Sequence, residues 1–136
     1  WGWRRLEKFS PNMDLYRDII LDHYKHPRNF GHLDKPDVVM EEGNVTCGDR
    51  IVMEIKFKDT IEDIRFNGEG CAISQASASM LTEKVKGMNK KQMRKLSRID
   101  IEEMLGTTLT PSRVKCATLP LEVLQKAVVF LKNNYG

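Results

Sequence analysis

Three cysteines lie in three different local settings, and each setting can present a thiolate. Cys47 falls in a Cys-Gly-Asp stretch that forms a tight turn, and Cys71 follows Gly70 at the start of a helical pattern. Cys116 precedes the pattern of a last helix and has cationic neighbours. The separations far exceed those of C-x-x-C pairs in zinc ribbons or redox centres, so only the fold can bring the three together. We interpret the trio as one thiolate site.

Asp49, two residues after Cys47, offers a carboxylate to the same site. Three thiolates and one oxygen form a tetrahedral set that suits Zn²⁺ or the iron of an iron–sulfur cluster. The predicted ligands are therefore Cys47, Asp49, Cys71 and Cys116. Their negative charge would be offset by nearby cations, for which the candidates are Arg113, Lys115 and Arg50.

These residues also allow other interpretations. Each cysteine taken alone could be a small buried side chain with no ligand role. A cysteine hydrolase needs a histidine beside its nucleophile, and no histidine is a sequence neighbour of a cysteine. The Gly68–Gly70 stretch lacks the Gly-Lys-Ser/Thr continuation of a phosphate-binding loop. His23, His26 and His32 are expected to face solvent or a partner.

The elements that must position the site follow from hydrophobic spacing. Residues 51–57 alternate apolar and other side chains, which is typical of a half-buried strand, and flanking stretches show similar patterns. Apolar residues at helical spacing predict helices elsewhere. The expected order is a helix over 14–26, strands over 38–41, 51–57 and 61–66, a helix from 71 to Gly87, short helices over 89–96 and 99–105, and a terminal helix from Ala117 with Pro120 in its first turn. This order predicts an α+β fold in which helices pack on a three-stranded antiparallel sheet.

Length and composition limit the function classes. A chain of 136 residues fits one domain, here 13–136, preceded by an N-terminal extension over 1–12 of uncertain role. Apolar runs fall well short of the roughly 18 residues of a membrane span, so no membrane association is expected. The net charge is +3, and we interpret the basic residues as scattered among acids rather than gathered into one stripe with interleaved aromatics, so nucleic-acid binding is not predicted. Three cysteines without a secretory signal favour the cytoplasm, with the mitochondrial matrix as the alternative.

Four stretches together resemble the IscU/SufU/NifU N-terminal family of iron–sulfur cluster assembly proteins. They are residues 21–31, 47–49, 70–79 and 113–119. The resemblance implies a compact α+β domain that accepts sulfur from a cysteine desulfurase and assembles a [2Fe–2S] cluster for recipient apoproteins. It also implies that Cys47, Asp49, Cys71 and Cys116 are the ligand positions. Such a protein is a scaffold or sulfur acceptor rather than a stand-alone enzyme.

The chain departs from the IscU-like pattern at two places. Lys115 stands where IscU-like scaffolds have a histidine before the third cysteine, as in the SufU-like branch, and a protonated ammonium cannot ligate a metal. Yet the insertion typical of SufU-like proteins is absent between residues 88 and 111. The stretch 109–115 matches only part of the segment that recruits an Hsp70-type chaperone, so such a partner is not implied.

Three functional hypotheses remain open at this point. The leading one is a cluster scaffold in which Cys116 is the first sulfur acceptor. The second is a zinc-dependent sulfurtransferase partner of a desulfurase, which resembles the SufU-like branch. The third is a structural zinc domain that serves as an interaction module.

Overall fold

The computed structural model describes residues 11–44, 48–106 and 110–135. None of the helices found there has the length and apolar content that spanning a bilayer requires. The elements in chain order are α1 (Pro11–Lys25), β1 (Val38–Asn44), β2 (Asp49–Phe57), β3 (Ile61–Glu69), α2 (Ala72–Val85), α3 (Lys90–Arg94), α4 (Arg98–Leu105) and α5 (Pro111–Tyr135).

The three strands form one antiparallel sheet in the order β1-β2-β3, which confirms the predicted sheet. Successive side chains of β2 point to opposite faces of the sheet. Ile51, Met53, Ile55 and Phe57 are all buried on one face. Val52 and Glu54 on the other face are buried as well, so the strand is more deeply covered than the predicted half-buried strand. Met53 lies opposite Met40 of β1 and Phe66 of β3, so all three strands contribute to one apolar layer.

The helices pack on this layer and on one another. α5 contacts β1, β2 and α2, while α2 also contacts α1 and β3. The small side chains in the first half of α2 allow close approach, and the Ser77 hydroxyl donates to the Ala117 carbonyl of α5 at 2.6 Å. The resulting core includes Leu81, Leu124 and Val128. The sheet and helices therefore confirm the predicted α+β class.

The two short helices, α3 and α4, lie close to the predicted positions. Residues at their ends favour the start or the end of a helix. Asn89 and Gln92 form a capping box at the start of α3, and Ser97 and Asp100 form one at the start of α4. Gly106 ends α4 in the left-handed conformation, at a φ of 81°.

Two predicted helix starts were wrong. α1 begins at Pro11 rather than near Asp14, and α5 begins at Pro111 rather than at Ala117. Proline is favoured at the first helical position, where its missing N–H would have no intrahelical partner. Pro120 lies inside α5, not in its first turn. It cannot donate the usual helical hydrogen bond to the carbonyl of Cys116, four residues earlier.

The prediction that all three histidines face solvent or a partner was wrong for His23. This side chain is only 9% exposed, and its Nδ1 lies 2.7 Å from the Ser79 hydroxyl of α2. The same hydroxyl accepts the N–H of Arg28 at 2.8 Å. His23 thus ties α1 and the following turn to α2. His26 and His32 are exposed.

Burial lowers the pKa of His23, Arg28 lowers it further, and the carboxylates of Glu83 and Asp22 only partly oppose this. The folded state therefore favours the neutral imidazole, and the unfolded state binds the proton more readily. The free energy of unfolding should fall as the pH drops below 6.5, the ordinary pKa of a histidine.

Replacing His23 with asparagine should flatten this dependence, because an amide cannot titrate. Urea denaturation of wild type, His23→Asn and His26→Asn at several pH values between about 7.5 and about 5.5 measures the effect. His26→Asn, a change at an exposed position, should keep the wild-type dependence of the unfolding free energy on pH. If the unfolding free energy of His23→Asn depended on pH as in wild type, another group would cause the loss of stability at low pH.

Candidate metal centre

Three elements that are distant in sequence meet at one end of the sheet. Asp49 is the first residue of β2, Cys71 is the N-cap of α2, and Cys116 lies in the second turn of α5. One ligand atom from each lies within 4.8 Å of the other two. The fold thus brings together three of the four predicted ligands. The fourth, Cys47, lies outside the described residues.

Asp49 is held in place by a backbone donor. Its side chain is buried, with 4% exposure of the residue, and Oδ1 accepts the N–H of Cys71 at 3.0 Å. Oδ2 lies 3.8 Å from the Cys71 Sγ. Oδ1 therefore fixes the orientation of the carboxylate, while Oδ2 points toward the Cys71 sulfur.

Cys71 stands at the predicted helix start. Its backbone is extended, and its side chain makes no capping hydrogen bond to the helix. The first N–H groups of α2 and the helix dipole favour negative charge at this position. The half-buried sulfur is thus placed to serve as a thiolate ligand.

Cys116 differs from the predicted helix-start position because α5 begins at Pro111. The residue is buried, with 5% exposure, and the small side chain of Ala117 follows it in the core. Arg113 and Lys115 are exposed, and neither forms an ion pair within the described part of the chain. Arg50 instead pairs with Glu41 at 3.0 Å, on the outer face of the sheet.

Sequence reasoning missed two residues that shape the site. Ser74 is fully buried, its hydroxyl donates to the Cys71 carbonyl at 3.1 Å, and its Oγ lies 3.8 Å from the Cys71 Sγ. A side chain at Gly70 would place its Cβ 2.3 Å from Ser74 Oγ and 2.9 Å from Asp49 Oδ1. The only sequence signal for Ser74 was its position three residues after a helix cap.

A cavity of about 240 Å³ lies between the end of β1 and α5. It is lined by Gly43, Asn44, Lys115, Leu119 and Glu122. Burial raises the pKa of Glu122, and the Glu42 carboxylate adds to the rise, while Lys126 partly offsets it. Because Lys115 directly precedes Cys116, this cavity opens beside the segment that carries the buried thiol.

Solved structures share this architecture. The N-terminal part of a nitrogen-fixing NifU-like protein from Brucella abortus superposes with a TM-score of 0.73 at 18% identity, covering 88% of this chain and 96% of that one. A candidate iron–sulfur cluster assembly scaffold protein for the SUF system of Fervidobacterium islandicum gives a TM-score of 0.68 at 32% identity, covering 81% and 93%. The fold is therefore that of NifU-like N-terminal domains.

Residues 15–135 match the NifU-like N terminal domain family, and the chain belongs to that family. The zinc-dependent sulfurtransferase SufU of Bacillus subtilis is 42% identical, with 88% of this chain and 94% of that protein aligned. The iron–sulfur cluster assembly scaffold protein IscU 1 of Archaeoglobus fulgidus is 39% identical, with 88% and 80% aligned. The scaffold IscU of Escherichia coli is 35% identical, with 88% and 95% aligned.

The number of gaps differs between these two alignments. The SufU alignment runs over 139 positions, more than the 136 residues of this chain, so SufU carries additional residues opposite gaps. The IscU 1 alignment runs over 123 positions for the same share of this chain. SufU therefore has the higher identity of the two, whereas IscU 1 aligns with fewer gaps.

Gly70→Ala should disturb the centre more than the fold. The added Cβ must displace the Ser74 hydroxyl and the Asp49 carboxylate, whereas the sheet core stays intact. We expect the affinity for Zn²⁺ to fall at least about tenfold, as for other losses of ligand orientation, with competition against a chromophoric chelator as the measurement.

Gly43→Ala is the matched control, because its Cβ meets only the Asp49 carbonyl at an ordinary 3.4 Å. It should bind zinc as wild type does. Unchanged zinc affinity in Gly70→Ala would show that the carboxylate geometry does not determine metal binding.

Proposed function

We propose that this chain is an iron–sulfur cluster assembly scaffold that accepts sulfur from a cysteine desulfurase and passes a [2Fe–2S] cluster to recipient apoproteins. The observation that carries the proposal is the meeting of Asp49, Cys71 and Cys116 within 4.8 Å. Cys47, two residues before Asp49 in the sequence, completes the proposed ligand set. The names of the SufU and IscU relatives support the same function.

The donor set suits a thiophilic metal. Two sulfurs and a carboxylate oxygen are typical ligands of zinc and of iron in sulfur-rich sites. For a tetrahedral ion with ordinary zinc–ligand distances, a sulfur and an oxygen ligand lie about 3.6 Å apart. The 3.8 Å between Cys71 Sγ and Asp49 Oδ2 is close to that spacing. This pair of ligand atoms thus has nearly the spacing that a bound ion would require.

Sulfur transfer to this chain requires a thiolate acceptor, for which we propose Cys116. The thiolate attacks the outer sulfur of the desulfurase persulfide, a new S–S bond forms on Cys116, and the desulfurase cysteine leaves as a thiolate. Sulfur passes from one cysteine to another without an external oxidant or reductant. Lys115, at the cavity beside this thiol, supplies positive charge near the negatively charged reactants.

A zinc-dependent sulfurtransferase is the second candidate, and two observations favour it. The three described ligand atoms lie within 4.8 Å of one another, and Lys115 replaces the histidine that the scaffold branch carries. In this case zinc would hold the cysteines, and one thiolate would leave the ion to accept sulfur. Anaerobic incubation with desulfurase, cysteine and ferrous iron separates the candidates, since only a scaffold acquires an iron–sulfide chromophore.

Cys116→Ser should remove sulfur acceptance, because a serine hydroxyl is a poor nucleophile toward a persulfide at neutral pH. Mass spectrometry after incubation with a desulfurase and cysteine should show the added mass of one sulfur atom on wild type. The variant should show less than about a tenth of that label.

Cys71→Ser is the matched control, since it removes another proposed ligand but leaves the proposed acceptor. It should still be labelled in its metal-free form. Full labelling of Cys116→Ser, with loss of label in Cys71→Ser, would assign the acceptor role to Cys71, the more exposed thiol.

Asp49→Ala should slow the release of an assembled cluster. A carboxylate is a hard ligand among soft thiolates and is the most weakly bound of the proposed iron ligands. Its dissociation from iron is therefore the proposed step through which the cluster leaves. The rate of cluster transfer to an apo-ferredoxin, followed by circular dichroism in the visible range, measures the effect. Asp59→Ala, on the exposed β2–β3 loop, should transfer at the wild-type rate. Equal transfer rates in both variants would contradict the labile role of Asp49.

A further inference from the structure

The expectation that basic residues are scattered among acids was wrong for one stretch of this chain. Residues 84–98, termed here the basic segment, contain seven basic residues and no acidic residue or aromatic ring. They are Lys84, Lys86, Lys90, Lys91, Arg94, Lys95 and Arg98. The rest of the chain then holds 15 basic against 19 acidic residues. One short stretch thus carries positive charge on an otherwise acidic protein.

The structure displays this charge on the surface. Met93 of α3 is fully buried, and Leu96, just after the end of α3, is also buried in the core. Lys91 and Lys95, four residues apart on the same side of the helix, are exposed, as is Arg94. The core contacts of Met93 and Leu96 therefore fix a helix whose outer side is basic.

Two of these cations form ion pairs. Lys86 lies 3.5 Å from Asp63, and Arg98 lies 3.8 Å from Glu102. The other five form no ion pair with any residue that the structure describes. Their charge is available to a partner.

The basic segment is separate from the metal centre. α2 carries Cys71 at its start and ends at Val85, and a helix of 14 residues is about 21 Å long. Lys84 and Lys86 therefore lie at the opposite end of α2 from the cysteine. A partner bound to the basic segment can leave the metal centre accessible.

We propose that the basic segment is a docking surface for an acidic protein partner. An apolar contact lies beside the charge: Ile99, directly after Arg98, is 61% exposed. Folded protein partners bury such side chains among charged ones, and complementary charge steers their encounter.

The alternatives fit these features less well. Helix N-termini can add to the binding of phosphate groups, but capping boxes already occupy those of α3 and α4. Single-stranded nucleic acid stacks on aromatic rings, which the segment lacks. A membrane-bound helix inserts an apolar face, whereas Met93 and Leu96 are buried in the core.

Binding of three fluorescent probes to the purified chain tests the proposal. The probes are a Glu- and Asp-rich peptide with a central leucine, a single-stranded DNA of matched charge, and vesicles that contain phosphatidylserine. We expect the peptide to bind most tightly. The triple variant Lys91→Gln, Arg94→Gln, Lys95→Gln should weaken peptide binding about tenfold, at a typical fraction of a kcal/mol per exposed pair.

A control variant separates the local surface from the overall charge. Lys25→Gln, Lys35→Gln, Lys58→Gln removes the same charge at exposed positions elsewhere and should change the affinity less than about twofold. Ile99→Ser should weaken the binding of the peptide but not the binding of the DNA. Single variants at 91, 94 and 95, each checked by circular dichroism, give a graded loss if the triple variant is unstable.

Two results would overturn the proposal. Equal losses in the two triple variants would mean that net charge alone attracts the peptide. Tighter binding of the DNA or the vesicles than of the peptide would assign the segment to a phosphate polymer or a membrane surface. Neither result depends on metal, so the outcome is independent of the proposed scaffold function.

Discussion

The hydrogen bond from the Cys71 N–H to the Asp49 carboxylate is the contact on which the candidate metal centre depends. It joins the first residue of β2 to the cap of α2 at 3.0 Å, in a region where the carboxylate is buried. A buried carboxylate is costly unless it is hydrogen-bonded, so the bond both satisfies the charge and fixes the helix start. Gly70 makes the approach possible because any side chain there would collide with Asp49. Strand, turn and helix thus determine one another at this point.

Much of the fold could be predicted from local patterns. The alternation over 51–57 predicted the central strand, and helical spacing after Gly70 predicted α2, since both patterns depend on burial of one face. The start of α5 could not be predicted in this way. Pro120 indicates a helix boundary locally, but the packing of Leu121, Leu124 and Val128 in the core outweighs the lost backbone hydrogen bond. Tertiary contacts decide such cases.

The candidate site was predictable in its residue types but not in its surroundings. Cysteine and aspartate beside glycines or a helix start indicated metal ligands, and the fold brings Asp49, Cys71 and Cys116 together. The burial of Cys116 depends on where α5 begins, and the contact of Ser74 with Cys71 depends on the turn of α2 between them. His23 was missed for a similar reason, because its partner Ser79 lies 56 residues away. No local pattern contains the contact between His23 and Ser79.

Pro120 has a consequence for how a buried thiol can react. Because residue 120 has no N–H, the turn of α5 that holds Cys116 lacks one backbone hydrogen bond, a contact worth about 1 kcal/mol. Local opening of that turn is correspondingly less costly than opening elsewhere in the helix. The long helix on either side stays anchored in the core, so the sulfur can be exposed briefly and then covered again. A thiol kept from water and oxidants at rest can in this way be offered to a partner without unfolding the domain.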